Sequence, residues 1–270
     1  MSALRLSFLG AGQMARALAG GFVRGGLVSA DSIVAHDPSP AAWEQFAAQV
    51  PGARFADSNR AAIRDADLVI VAVKPPQVAA VGREIAACLG AEPLVVSVAA
   101  GIPLARLQAD YGARRVIRVM PNTPCLVGRG ACGYALGEGA TDDDARQVGR
   151  LLETVGIAFQ VDESLLDAVT GLAGSGPAFV YTVVEALSDG GVRMGLPRAV
   201  ATALAAQTVM GAAEMVKEGG EHPAVLRERV TSPGGTTITG MQALEQHGLR
   251  AALMAAVEAA TRRSVELAGQ

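Results

Sequence analysis

The sequence predicts an α/β fold: a doubly wound parallel sheet in the N-terminal part, followed by an all-helical C-terminal dimerisation domain. Short, nearly unbroken apolar runs alternate with helical patterns as far as about residue 162. Such runs mark strands covered on both faces, and the alternation marks parallel crossover units. A glycine-rich turn stands directly between the first apolar run and the first helical pattern. Beyond Asp162 no strand pattern recurs, only helices opened by proline and closed by glycine. The 270 residues therefore divide into 1–162 and 163–270, a length comfortable for two domains.

Taken in order, Leu4 to Leu9 reads as a buried strand running into Gly10. Met14, Leu18 and Phe22 then recur at helical spacing until Gly25-Gly26 stops them. Ser32 to His36 is a second strand, Asp37 to Pro40 a turn, and Ala41 to Gln49 a helix carrying Trp43 as a packing residue. Leu68 to Val73, Leu94 to Val98, Val116 to Met120, Cys132 to Leu136 and Gly156 to Phe159 supply further strands, with a helix over 142–153. In the second part, Ser175 and Pro177 open one helix, Pro197 opens another that Gly219-Gly220 closes, and Gly248 closes a later one. Ala199 to Val216 is apolar on nearly every face, so it must be buried all round. A domain of about 110 residues cannot cover it alone. A second copy is the expected cover, giving a homodimer that could assemble further.

Composition removes several function classes. A net charge of −3 and the lack of any dense basic cluster argue against nucleic acid as a partner. Cys88, Cys125 and Cys132 have neither the parity of a disulfide framework nor zinc spacing, which fits a reducing compartment. His36, His222 and His247 lie far apart, so no metal is expected. Met1 to Leu9 is too short an apolar start for a signal peptide, and no window reaches the ~18 uninterrupted apolar residues of a membrane span. No membrane partner and a cytoplasmic location are expected.

Gly10-Ala11-Gly12-Gln13-Met14-Ala15 has the form G-x-G-x-x-A between strand and helix, the mark of a Rossmann-type dinucleotide domain. Gly10 permits the tight turn, Gly12 lets backbone approach a pyrophosphate, and small Ala15 lets helix pack near strand. The positive helix end faces the phosphates. Ala72-Val73-Lys74-Pro75 and Val98-Ala99-Ala100-Gly101 follow later strands at the same sheet edge, forming a floor for ribose and nicotinamide. Asp37 ends the second strand, where an acid accepts from the adenosine ribose 2′-hydroxyl and repels a 2′-phosphate. Alone it favours NADH, whereas Ser39 and Asn59 could hydrogen-bond either form, so NADPH and NADH both stay open.

The second part contains Val230-Thr231-Ser232-Pro233-Gly234-Gly235-Thr236-Thr237-Ile238. Two glycines between hydroxyl residues, with a helix beginning beyond, predict a run of free backbone amides at a positive helix end. That is an anion cup sized for a carboxylate, with Ser232 and Thr237 placed to hydrogen-bond a neighbouring polar atom. The same residues also suit a turn that merely caps a helix.

Five ordered segments carry a resemblance over essentially the full length: Gly10 to Ala15, Ala72 to Pro75, Arg118 to Pro124, Gly174 to Ala178 and Asp189 to Gly191. Thr231 to Thr237, continuing through Ala243-Leu244-Glu245, is the most specific. The chain resembles the pyrroline-5-carboxylate reductases. The resemblance implies reduction of 1-pyrroline-5-carboxylate to L-proline, the final step of proline biosynthesis, with NADP(H) or alternatively NAD(H) as hydride donor. It implies cofactor contacts from Gly10, Ala11, Gly12, Gln13, Met14, Asp37, Ser39, Asn59, Ala72 to Pro75 and Val98 to Gly101. It places Thr236 and Thr237 on the substrate, with Ser232 and the Gly234-Gly235 backbone alongside, and Ser232 and Thr237 as the catalytic pair. It also aligns Arg229 with a position that reaches the cofactor from the partner subunit, where its charge would hold a 2′-phosphate and offset Asp37. Asn122 reads equally as a functional residue or as one that holds its turn.

Two other classes of protein share parts of this pattern. β-Hydroxyacid dehydrogenases share the glycine turn but use a lysine of the second domain, and this chain has only Lys74 and Lys217. A redox-sensing protein that holds NAD(P)H without turnover would need no carboxylate cup.

Overall fold

A computed structural model of the chain describes residues 4–89, 93–113 and 115–268. Its single sheet has eight strands: β1 (Leu6–Leu9), β2 (Ile33–His36), β3 (Arg54–Phe55), β4 (Leu68–Val71), β5 (Leu94–Ser97), β6 (Val116–Met120), β7 (Gly130–Leu136) and β8 (Gly156–Gln160). Their order is β3-β2-β1-β4-β5-β6-β7-β8, so the chain winds outward in both directions from β1 and β4. The crevice at the strand ends beside that reversal is where open α/β sheets bind ligands. Around the sheet run α1 (Gln13–Arg24), α2 (Pro40–Gln49), α3 (Asn59–Ala62), α4 (Pro75–Leu89), α5 (Leu104–Tyr111), α6 (Asp142–Glu153) and α7 (Leu166–Val169).

The apolar strand runs divide between two cores, as a doubly covered sheet requires. Leu6, Phe8, Leu68 and Ile70 join Leu18, Phe22, Phe46 and Val148 on one face. Leu9, Val69 and Val71 join Ile85, Leu107 and Tyr111 on the other. Trp43 stacks on Phe55 with ring centroids 5.1 Å apart, which makes it a packing residue. One strand departs from the expected all-parallel sheet. β7 runs antiparallel to β6, with Met120 opposite Gly133. Only Pro121–Arg129 joins the two strands, too short for the crossover a parallel neighbour needs. The two-residue β3 has no apolar run to mark it in the sequence.

No strand follows β8 among the described residues. The helices there are α8 (Gly176–Arg193), α9 (Arg198–Gly219), α10 (Pro223–Arg229), α11 (Thr236–Gln246) and α12 (Leu249–Ala268). The compact units part elsewhere than the composition change at 162–163: one holds the described residues through Ser175 and again from Ala259, the other holds Gly176–Glu258. Two interactions explain the assignment of those flanking pieces to the first unit. Ser264, near the end of α12, donates to Asp167 at 2.6 Å. Asp167 and Glu163 both face the buried Arg118 guanidinium, at 3.7 and 3.3 Å.

In the second unit, α8 and α9 pack closely where Gly191 meets Ala201; a methyl on Gly191 would stand 3.1 Å from the Ala201 Cβ. On α9 only Ala201 and Ala205 are buried, while Leu204, Met210 and Met215 are exposed. By length and composition α9 could cross a membrane, and 11% of its most apolar stretch is buried.

The start of α6 shows how charge fixes an element. Thr141 accepts from the Asp144 amide at 3.2 Å, and Asp144 accepts from the Thr141 amide at 2.9 Å, a reciprocal capping box. Arg115 Nε also donates to the Asp144 carboxylate, at 3.1 Å. Burial pushes this carboxyl up, but the Arg115 and Thr141 bonds outweigh it and hold the group below its ordinary 3.8. A folded-state pKa below the unfolded value stabilises the fold above 3.8, and that stability is lost as pH falls through the folded value. We expect Asp144→Asn to lower the unfolding free energy by about 2 kcal/mol at neutral pH. In urea titrations the gap to wild type should close as the pH is taken below 3.8.

Candidate active site

The strand ends at the sheet's reversal are drawn level by continuing the ladder past each strand. The Gly10 amide donates to His36 O at 2.8 Å, the Ala72 amide to Leu9 O at 2.8 Å, and the Val98 amide to Val71 O at 3.0 Å. The three turns predicted for the cofactor therefore stand side by side along one edge. Gly10 has φ +97, and a Cβ there would meet the Ala72 carbonyl at 2.9 Å. Only glycine satisfies both the dihedral and the space. Gly12 differs: a Cβ there would meet nothing within 4 Å. Its exposed backbone, with the first-turn amides of α1 behind it, fits the close approach of a pyrophosphate.

Asp37 latches this turn. Its Oδ2 accepts from the Ala11 amide at 2.9 Å and its Oδ1 from the Ser39 amide at 2.9 Å. Ser39 caps α2 by accepting from Ala42 at 3.4 Å. Asn59 opens α3 and donates to the Glu84 carboxylate at 2.8 Å. Gln13 and Lys74 are exposed, and Met14, Ala72, Val73 and Val98 are half-buried. Pro75 occupies the first position of α4, and Gly101 turns with φ +74. A cavity of about 660 Å³ opens beside Pro75, Ala100 and Gly101, walled further by Ile102, Thr170 and Ser264. That size suits a small organic ligand.

In the second unit, Ser232 O accepts from the Gly235 amide at 3.1 Å, across Pro233 and a Gly234 with φ +64. Proline followed by a positive-φ glycine is the type II turn pattern. This corrects one detail of the expected cup, because the Gly235 amide is consumed by the turn and is not free. Among the described residues the amides of Gly234, Thr236, Thr237 and Ile238 keep no acceptor, and those of residues 236–238 lead the first turn of α11. A Cβ on Gly235 would meet Ser232 Oγ at 2.2 Å, so Gly235 seats the Ser232 hydroxyl. The hydroxyls of Ser232, Thr236 and Thr237 have no partner among the described residues, and Thr237 is half-buried. Arg229 is bidentate on Glu221, with one contact at 2.6 Å, so its charge is already paired within this unit.

Asn122 holds its turn. Its amide donates to Ala173 O at 3.1 Å and its oxygen accepts from the Ala131 amide at 2.9 Å. It thus ties the start of β7 to the π-helical turn Thr170–Gly174. The walls supplied by Thr170 and Ser264 had no sequence signal: Thr170 stands on the π-helical turn, and Ser264 reaches the cavity only through the long-range return of α12.

An α/β domain with a pyrophosphate-type turn, joined to a helical unit with a hydroxyl-lined anion cup, defines a dinucleotide-dependent oxidoreductase. The sequence profile described as pyrroline-5-carboxylate reductase dimerisation matches residues 163–267. The profile described as NADP oxidoreductase, coenzyme F420-dependent, matches residues 5–101. Pyrroline-5-carboxylate reductase of Pisum sativum is 45% identical over 262 residues, covering 97% of this chain and 95% of the relative. Among solved structures, the Coxiella burnetii pyrroline-5-carboxylate reductase aligns with TM-score 0.92 at 33% identity, covering 98% of this chain and 99% of that one. The Plasmodium falciparum pyrroline carboxylate reductase with NADP bound aligns with TM-score 0.88 at 32% identity, covering 99% of each chain. The chain belongs to the pyrroline-5-carboxylate reductase family.

The two glycines separate fold from binding. We expect Gly10→Ala to destabilise the protein by roughly 2 kcal/mol or more through backbone strain and the Ala72 clash. Gly12→Ala should change stability little and still weaken NAD(P)H binding severely. Thermal unfolding and calorimetric titration of both variants would check the distinction; equal affinity of Gly12→Ala and wild type would remove the pyrophosphate from this turn.

Proposed function

We propose that the two units divide between them the reduction of 1-pyrroline-5-carboxylate to L-proline. The enzyme is an NAD(P)H-dependent oxidoreductase acting on a carbon–nitrogen double bond. When bound, the reduced nicotinamide supplies a hydride to the imine carbon. Residues Gly10 to Met14 hold the pyrophosphate, with Asp37, Ser39 and Asn59 at the adenosine end. Ala72 to Pro75 and Val98 to Gly101 form the floor towards the nicotinamide.

The observation that carries the reading is the cup at Ser232–Thr237. Its free amides at Gly234, Thr236 and Thr237 are donors for a carboxylate, strengthened by the positive end of α11. Gly235 contributes by seating Ser232 rather than through its amide. The Thr237 hydroxyl hydrogen-bonds the ring nitrogen, and Ser232 fixes the neighbouring polar atom. An imine takes its proton from water to become the iminium, so the residues need only orient and stabilise charge. Neither histidine nor lysine stands in the cup.

The functional boundary lies at 162–163, where the strands end; residues 163–270 serve dimerisation and substrate binding. The exposed apolar side chains of α9 find their cover in a second copy, giving a homodimer that can assemble further, in the cytoplasm.

Steady-state assays of pyrroline-5-carboxylate with NADPH and with NADH test the activity directly. Thr237→Ala should lower kcat/KM by about 100-fold, the usual cost of a lost preorganised donor, while dinucleotide affinity is kept. Unchanged kinetics would overturn the role of Thr237; absence of turnover with either donor would overturn the reaction.

A further inference from the structure

The geometry points to a site of reversible oxidation at Cys125 and Cys132, where a peroxide closes the two thiols into an intrachain disulfide. The sulfurs lie 3.8 Å apart and share a hydrogen bond, and neither belongs to the cofactor edge or the cup. They come from different elements. Cys125 stands in a single 3₁₀ turn, Thr123–Val127, whereas Cys132 is held within β7, paired with Ala158 of β8. Gly130 lets the two meet. A Cβ there would overlap the Cys125 sulfur, so the missing side chain is the space that sulfur fills. Cys88, the third cysteine, is exposed on α4 and lies outside this pair.

Burial alone would keep both thiols protonated and inert. The Cys132 thiol, however, donates to the Cys125 sulfur, and this bond, aided by the Asn122 backbone, brings Cys125 down to about 7 against the effect of burial. The same bond, together with burial, pushes Cys132 up. Cys125 is therefore the attacking sulfur and Cys132 the resolving one. First the Cys125 thiolate attacks one peroxide oxygen and the O–O bond breaks. The departing hydroxide takes up the proton Cys125 had released and leaves as water, and Cys125 is left as the sulfenic acid. The Cys132 sulfur then attacks the Cys125 sulfur, the S–O bond breaks, and the hydroxyl leaves as water with the Cys132 proton. Two electrons have passed from the sulfurs to the peroxide. The cover over the pair is slight. It is one turn closed by the Cys125 amide on Asn122 O at 3.1 Å and the Gly128 amide on Cys125 O at 3.2 Å, with Val127 exposed. A single 3₁₀ turn opens locally without unfolding the sheet, which admits a small neutral peroxide. The cysteines are only seven positions apart, so the bond restricts the unfolded chain little. Its effect is local: it fastens the turn to β7, beside the noncovalent tie from Asn122 to the Ala131 amide. It also diverts Cys125 from the irreversible acids into a crosslink that a thiol can undo.

The test uses the full chain carrying Cys88→Ser, which removes the exposed thiol and leaves the core untouched. After hydrogen peroxide and alkylation, peptide mapping without reductant should find the Cys125–Cys132 link and no free thiol. Dithiothreitol should restore both thiols. Hydrogen exchange over residues 126–131 should slow by about tenfold in the oxidised protein. With Cys132→Ser added, dimedone should trap Cys125 as its sulfenic acid. With Cys125→Ser added instead, Cys132 should react at least about tenfold more slowly than Cys125 does. Two thiols that survive the peroxide overturn the inference, as do sulfinic or sulfonic products without a link, or a link that forms only in urea; none of these outcomes depends on a core substitution. Unchanged exchange would overturn the fastening of the turn, and equal reactivity of the two single-cysteine proteins would overturn the order of attack.

Discussion

Gly10 lies so close to the Ala72 carbonyl that a single methyl group would intrude to 2.9 Å, and the rest of the cofactor edge depends on that approach. It is made possible by β1 pairing in parallel with β2 on one side and β4 on the other. Each partner strand then continues by one rung, which brings Asp37 beside Ala11 and Ala72 beside Gly10. A side chain at position 10 would force β4 away, lengthen those rungs and release Asp37 from the turn it latches. The free face of Gly12 is the counterpart: one glycine is needed for the protein's own packing, the other leaves room for a ligand.

A second constraint is a buried charge tied through Asp167 to Ser264 on the cavity wall. Arg118 is 4% exposed, an arrangement that costs several kcal/mol in desolvation unless the charge is paired and hydrogen-bonded. Glu163 and Asp167 provide the pairing, and both carboxylates have further duties. Glu163 accepts from the Leu104 amide at 2.6 Å, fixing the start of α5, and Asp167 accepts from Ser264. Removing one member would strand the others, so the set acts as a clasp joining β6, the segment before α7 and the final turns of α12. Asn122 performs the neutral version of this task for the π-helical turn.

What the sequence revealed follows from the range of each interaction. The α1 turn, the glycine stops at Gly220 and Gly248, and every strand except the two-residue β3 are local patterns, and they stand where the periodicity put them. The antiparallel β7 was not legible, because apolar alternation does not report strand direction and only the shortness of Pro121–Arg129 decides it. The return of α12 was invisible for a different reason: Ser264 and Asp167 are far apart in the chain, and neither belongs to a motif. At the site, the identities of the turn residues were legible but their occupancy was not. Nothing local says that both Asp37 oxygens serve backbone amides, that the Gly235 amide is spent on Ser232, or that Arg229 is paired with Glu221.

The helical unit carries the proposed substrate cup and exposed apolar surface on one element. α11 begins with Thr236 and Thr237 at its amide-rich end, and along the same helix Ile238 and Leu244 are exposed apolar residues. Leu253 and Met254 on α12, and Leu204, Met210 and Met215 on α9, add to the apolar surface. Surface of that extent is too costly to leave in water and is the mark of an interface between copies in a homo-oligomer. A helix of eleven residues has little intrinsic stability in isolation and takes its rigidity from what packs on it. Covering Ile238 would therefore also steady the first turn of α11, where the proposed function asks the free amides to hold a carboxylate without reorganising. On the proposed function, association and preorganisation of the cup would then be one physical event, and a site without a strong acid or base would depend on the copy that covers a helix a single chain leaves half bare.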